Sequence, residues 1–236
     1  MFDQPPMTNG RIDGLTLCWS VKGGSGTTVV AAALALTSEP PVILMDLAGD
    51  QPAVLGLPEP TGPGVGDWLA SDAPASHLAD LAIEVAHGVR LIPRGRPDDR
   101  SGLRSSVTTG DDDPVRLQRW DELIGELAAD RVHLIVDAGT GEPPDVLNES
   151  AERSLLVTRA CYLSLRRAVN STMRPTGVVL VSEAGRALRA NDVEAALNAD
   201  IVAEVAVDPA VARAVDAGLL AARLPRALRR DLGGAA

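Results

Sequence analysis

Eight residues at 22–29, KGGSGTTV, carry the densest chemistry in the chain. Gly23, Gly24 and Gly26 allow tight backbone geometry with N–H groups turned inward, as an anion cradle needs. The stretch follows the apolar run LTLCWSV and precedes TTVVAAALALTS, so it is expected to join a buried strand to a helix. A helix opening near Thr27 adds unsatisfied N–H donors and the positive end of a helix dipole. Thr28 is placed to offer its hydroxyl to Mg²⁺. The chemistry these residues can do is phosphate binding. An ordinary glycine-rich connection is the competing reading, which the strand–loop–helix context disfavours.

One letter is missing. A phosphate loop usually reads G-x-x-x-x-G-K-[ST], whereas Gly26 is followed by Thr27 and Thr28. The only lysine of the chain stands at the other end of the loop, at Lys22, and every other fixed positive charge is an arginine. Two aspartates complete the constellation. Asp46 ends VILMD and Asp137 ends VHLIVD, at the carboxyl ends of expected parallel strands, where ligands gather. A buried carboxylate is costly without a partner, and Mg²⁺ with its waters is one. A capping or turn aspartate is the alternative at both positions.

These residues need a frame. Apolar residues make up 45% of the 236 and aromatics 2%, so the core is built from Leu, Val, Ala and Ile. That composition suits a parallel sheet covered by helices. Strands are expected at 15–21, 42–47, 89–93, 132–139, 154–158, 177–182 and 200–205. Helices are expected at 27–38, 65–71, 75–86, 115–129, 143–151, 160–172, 189–198, 208–217 and 219–230. Residues 49–64 read as loop with short turns, and 94–114, rich in Arg, Asp and Gly, as a mobile loop or partner site. The alternation implies an α/β fold: a doubly wound, mostly parallel sheet with helices on both faces, of P-loop NTPase type. Residues 1–13 read as a flexible N-terminal tail, and 14–236 as a single P-loop nucleotide-binding domain.

The KGGSGTT stretch resembles the deviant Walker A motif of the ParA/MinD group, KGG-x-GK-[ST], and the resemblance runs from about residue 14 to 230. It implies ATP and Mg²⁺ as cofactors and an ATP-dependent face-to-face homodimer, in which Lys22 matches the signature lysine that reaches the partner's phosphates. Thr27 replaces the family's second lysine, so affinity, hydrolysis or both are expected to fall. Loops of this kind are similar to those of the TadZ/CpaE branch. By the same resemblance DLAGDQPAVLG is the first switch, with Asp46 on its first aspartate, Ala48 on its second, and Asp50 taking the water-orienting role. Asp137 matches the Walker B residue, and Gly139 and Gly141 sense the γ-phosphate. Ser182 stands at the base-contact segment, and Asp208 and Pro209 line the base side. A turn capping the next helix explains Asp208 and Pro209 equally well.

The residues of the site are therefore Lys22, Gly23, Gly24, Ser25, Gly26, Thr27, Thr28, Asp46, Asp50, Asp137, Ser182, Asp208 and Pro209. Arg94, Arg96 and Arg100 follow an expected strand, in the loop at 94–114, and could answer the missing lysine by reaching the nucleotide or a partner. Formal net charge is −10, which disfavours broad nucleic-acid binding. The C-terminal segment with Arg223, Arg226, Arg229 and Arg230 reads as a surface helix, with nucleic-acid, membrane-surface or protein docking as alternatives. The expected compartment is the cytoplasm, because neither a signal core nor an 18-residue apolar run occurs. Cys18 and Cys161 are expected to be buried and reduced. The expected function is a slow, dimeric ATPase switch that positions a pilus or secretion machine, a division site or DNA, with a protein cargo adaptor. Its rivals are a nucleotide-binding localisation scaffold with little hydrolysis and a kinase-like metabolic enzyme of the same fold.

Overall fold

The computed structural model describes residues 7–8, 11–95, 114–129 and 132–235. Among the described residues nine strands form one sheet. In chain order they are β1 (Met7–Thr8), β2 (Arg11–Ser20), β3 (Val42–Asp46), β4 (Ile83–Ala86), β5 (Val89–Ile92), β6 (His133–Thr140), β7 (Ala151–Arg159), β8 (Gly177–Ser182) and β9 (Ile201–Ala206). The spatial order is β4-β5-β3-β6-β2-β7-β8-β9, with β1 paired to β2. All pairings are parallel except the two hairpin pairs, β1 with β2 and β4 with β5.

Parallel strands covered on both faces read as unbroken apolar runs, and VILMD, HLIVDA and GVVLVS behave so. Along β2 the faces separate: Leu15, Leu17 and Trp19 enter one core, and Cys18 the other. On the first face lie α3 (Val65–Leu69), α4 (Pro114–Ala129) and α5 (Asp145–Ser150), contributing Trp68, Trp120, Leu123 and Leu147. On the other lie α1 (Thr27–Thr37), α2 (Gln51–Leu55) and α9 (Arg226–Leu232). Helix α1 is apolar nearly all round, and Ala31, Ala32, Ala33 and Ala35 are fully buried. Such a helix must be central, and its small side chains let it lie close to the sheet. Helices α6 (Tyr162–Val169) and α7 (Ala190–Leu197) cover the β8 side, and α8 (Pro209–Asp216) lies beside α2.

Several boundaries differ from expectation. Strand β2 starts at Arg11, so part of the expected tail, with Met7–Thr8 paired against it, belongs to the sheet; residues 1–6 and 9–10 lie outside the described residues. The expected helix at 75–86 is a 3-10 segment at Ala75–Leu81 followed by β4. Gly88, at φ 74°, turns β4 back onto β5. Residues 51–55, expected as loop, form α2, with Pro52 in the first turn, where its missing N–H costs nothing. At 219–230 only Arg226–Leu232 is an α-helix, because Pro225 fixes the chain in an extended turn just before it. Cys161 is half-buried at the start of α6, not buried, and both cysteines are free thiols. The loop at 94–114 falls mostly on residues outside those described. Among the described residues no helix is long and apolar enough to cross a membrane.

One contact fixes α2 against α8. Gly56 and Gly218 both have positive φ, 76° and 64°, and a Cβ at Gly56 would sit 2.0 Å from the Gly218 carbonyl oxygen. Gly56→Ala is expected to lower stability by about 1–3 kcal/mol in thermal or denaturant unfolding. Gly62→Ala, whose Cβ meets nothing within 4 Å, is expected to change it by less than about 0.5 kcal/mol. Equal effects would remove the Gly56–Gly218 contact as a constraint.

Candidate functional site

The loop after β2 and the start of α1 form the wall of an open cleft of about 740 Å³. Gly24 and Gly26 adopt φ 76° and 96°, left-handed values that glycine reaches without strain. The Ser25 hydroxyl donates to the Lys22 carbonyl at 2.7 Å, and the Ser20 hydroxyl to the Gly139 carbonyl at 2.9 Å. These bonds tie the loop to itself and to the end of β6. Gly26 occupies the N-cap of α1 with no side-chain cap, and the first turn carries no acidic residue. The first N–H groups of α1 therefore lack the usual capping oxygen at a positive dipole end, which is the arrangement that takes a phosphate.

Below the loop, Asp46 and Asp137 are register partners on the adjacent strands β3 and β6, and both are fully buried. Asp46 is largely occupied. Its Oδ1 accepts the N–H groups of Ala48 and Gly49 at 3.0 and 2.7 Å, and its Oδ2 that of Gln51 at 3.0 Å. It thus holds the loop after β3 in its turn. Asp137 accepts the Gly139 N–H on Oδ1 at 3.0 Å and the Gln51 side-chain amide on Oδ2 at 2.9 Å. The Thr28 hydroxyl also favours the charged form of its carboxylate. Burial pushes Asp137 up to about 7, reinforced by the charge of Asp46 and opposed by the bonds from Gln51, Gly139 and Thr28. Burial likewise raises Asp46 to about 6, opposed by its three backbone donors.

Gln51 is the functional residue that sequence reasoning missed. It is fully buried, and its Nε2 bridges Asp137 and the Thr28 carbonyl, the latter at 3.0 Å. One side chain thus ties the loop after β3 to the strand end of β6 and to α1. Its Oε1 has no hydrogen-bond partner, leaving a buried acceptor beside Asp137. The two loops also touch directly: Gly139, at φ 67°, leaves room for Ala48, whose Cβ would be 2.8 Å from a Cβ there.

The cleft brings together Gly23, Gly24, Ser25, Gly26, Thr27, Thr28, Asp50 and the Gly139 backbone. Asp50 is exposed at the start of α2, and its side chain makes no cap bond. Lys22 is not part of the lining; its ammonium donates to the Gly23 carbonyl at 3.1 Å. Arg94 does line the cleft, beside Ala48. Ser182 ends β8 one residue after Val181, which lies 3.7 Å from where a Gly26 Cβ would be. Asp208 lines a separate cleft, and its carboxylate caps α8 by accepting the Ala210 N–H at 2.7 Å, with Pro209 at the first helical position. Among the described residues no cluster of three or more His, Cys, Asp or Glu side chains could hold a metal alone. Thr28 with Asp137 offers the sparse hard-oxygen set typical of Mg²⁺ that completes its shell with phosphate and water.

The fold is that of P-loop NTPases: a mostly parallel central sheet flanked by helices. It resembles a ParA family ATPase from Chlorobium tepidum TLS with a TM-score of 0.70 at 18% identity, over 92% of this chain and 94% of that one. The cell division ATPase MinD of Pyrococcus furiosus superposes with a TM-score of 0.68 at 21% identity, over 96% and 100% of the two chains. MinD of Pyrococcus horikoshii OT3, complexed with Mg-ADP, gives 0.66 at 18% identity, over 92% of each chain. No protein-family model matches the chain, and no curated protein does. None of these likenesses singles out a TadZ/CpaE-like branch.

Because both carboxyls are raised above their ordinary range, the folded chain binds more protons than the unfolded chain between about pH 4 and 7. Their contribution to stability therefore falls as pH rises across that window. Without nucleotide or magnesium, urea midpoints measured at about pH 5 and about pH 8 should show a larger loss for the wild type than for Asp137→Asn. The same loss in both proteins would show that Asp137 does not titrate there.

Proposed function

We propose that the chain is an ATP-binding, Mg²⁺-dependent and slowly hydrolysing switch of the ParA/MinD type, which dimerises with ATP and positions a cellular cargo. The observation that carries this reading is the meeting of the uncapped start of α1 with Thr28, Asp137 and the loop after β3 at one cleft. The backbone N–H groups of 23–28 cradle the phosphates. Thr28 and Asp137 would hold Mg²⁺, and Asp46, largely occupied by backbone donors, would add negative charge beside them while fixing the first switch. When bound, Mg²⁺ neutralises charge on the β- and γ-phosphate oxygens. Asp50 orients the attacking water from the open side of the cleft, and the Gly139 and Gly141 backbone senses the γ-phosphate. Ser182, at the end of β8, flanks the base, and Asp208 with Pro209 caps α8.

Slowness follows from two replacements. Thr27 brings no charge to the phosphates, and Ala48 leaves the usual water-orienting carboxylate to Asp50. Lys22, turned out of the cleft, reaches the phosphates of a second copy. Val21, the residue before it, shares a cleft with Leu163, and Tyr162 and Leu163 are 73% and 44% exposed. An apolar patch beside the shared lysine supports a face where two copies meet. A cytoplasmic location and a protein cargo adaptor complete the proposal. Ala48 and Thr27 together favour one second reading, a nucleotide-binding scaffold that barely hydrolyses.

Steady-state phosphate release and sedimentation with Mg-ATP separate these readings. Asp137→Ala should lower release about a hundredfold or more. Lys22→Ala should abolish ATP-dependent dimerisation with the fold intact. Release that is the same in wild type and Asp137→Ala would favour the scaffold, and dimerisation unaltered by Lys22→Ala would remove the shared lysine from the mechanism.

A further inference from the structure

We infer that Arg94, delivered from the end of β5, is the same-chain cation for the terminal phosphates of the bound nucleoside triphosphate, in the role left open by Thr27; the inference rests on the nucleotide reading above. Among the described residues that line the cleft, Arg94 alone carries a basic side chain. The other charged side chains on that lining are carboxylates, Asp50 and Asp216, above the buried pair Asp46 and Asp137. A multiply anionic ligand entering such a wall needs a compensating charge, and Lys22 lies outside it.

The position of Arg94 is built rather than incidental. The main chain is pinned where β5 ends: the Pro93 and Arg94 carbonyls accept the Val65 and Gly66 N–H groups, each at 2.9 Å. The neighbouring turn leaves no slack, since a Cβ on Gly64 would lie 2.1 Å from the Gly95 nitrogen. The side chain then crosses the loop after β3. Its Cδ lies 3.3 Å from where a Gly49 Cβ would be, and its Nη1 donates to the Ala48 carbonyl at 3.2 Å. A guanidinium has five N–H donors in a planar fork, so the bond to Ala48 is compatible with a bidentate grip on phosphate oxygens. A loop lysine would bind phosphate alone. An arginine tied to Ala48 binds phosphate and positions the first switch with one group.

Titration of the full chain with Mg-ATP, Mg-ADP and AMP tests this. Arg94→Ala and Arg94→Gln should each weaken Mg-ATP binding about tenfold to a hundredfold and change AMP binding by less than about twofold, because the loss belongs to the terminal phosphates. Arg94→Gln keeps a shorter, neutral amide donor and removes the charge, so it carries the test if Arg94→Ala does not fold. Adding Thr27→Lys to either variant should recover about tenfold of the loss. The inference is overturned if Arg94→Gln binds Mg-ATP like the wild type, if ATP and AMP weaken together, or if Thr27→Lys recovers nothing. A wild-type chain that binds none of the three would overturn the nucleotide reading itself, and this inference with it.

Discussion

Two carboxylates sit side by side beneath the loops, both fully buried, and most of the site's architecture answers that constraint. Asp46 and Asp137 are neighbours across β3 and β6. Burying one such group is expensive, and burying two in contact adds their mutual repulsion. The structure offsets this with directed N–H groups: three from the loop after β3, one from Gly139 and one from the amide of Gln51. Each donor fixes the shape of the loop that provides it. The two switch loops are therefore shaped by the acids beneath them, and any change of charge over Asp137 changes what the loops gain by staying in place.

That arrangement depends on strand order. After the β1–β2 hairpin the chain crosses to β3, runs out to the edge strand β4, turns back through β5, and returns to insert β6 between β2 and β3. The loops after β2, β3 and β6 thus open at one edge, where parallel α/β sheets keep their ligand crevices. The route also brings the end of β5 near the loop after β3, although Arg94 and Ala48 are 46 residues apart in sequence.

The strands of the central sheet were legible because burial on both faces leaves apolar runs with nothing else to do, as in VILMD and GVVLVS. Helix α1 was legible for the same reason. The 75–86 segment was misread because β4 is a half-exposed edge strand, whose IEVA carries no run and whose identity depends on pairing with β5. At the site, Thr28 and Asp137 could be placed together from motif and strand ends. Gln51 could not, since a polar residue in a Gly- and Pro-rich stretch looks solvated until Asp137, 86 residues away, is brought to it. The arginine beside Ala48 was visible only as a basic residue after a strand.

The lone lysine has a practical meaning of its own. In a chain whose other fixed cations are guanidiniums, Lys22 carries the one side-chain amine, and it lies half-exposed at the loop's outer edge. Amine-selective reagents address this side chain alone among the side chains, since no other carries an amine. Its reactivity becomes a built-in spectroscopic and chemical reporter of the surface it occupies, with no engineered label needed.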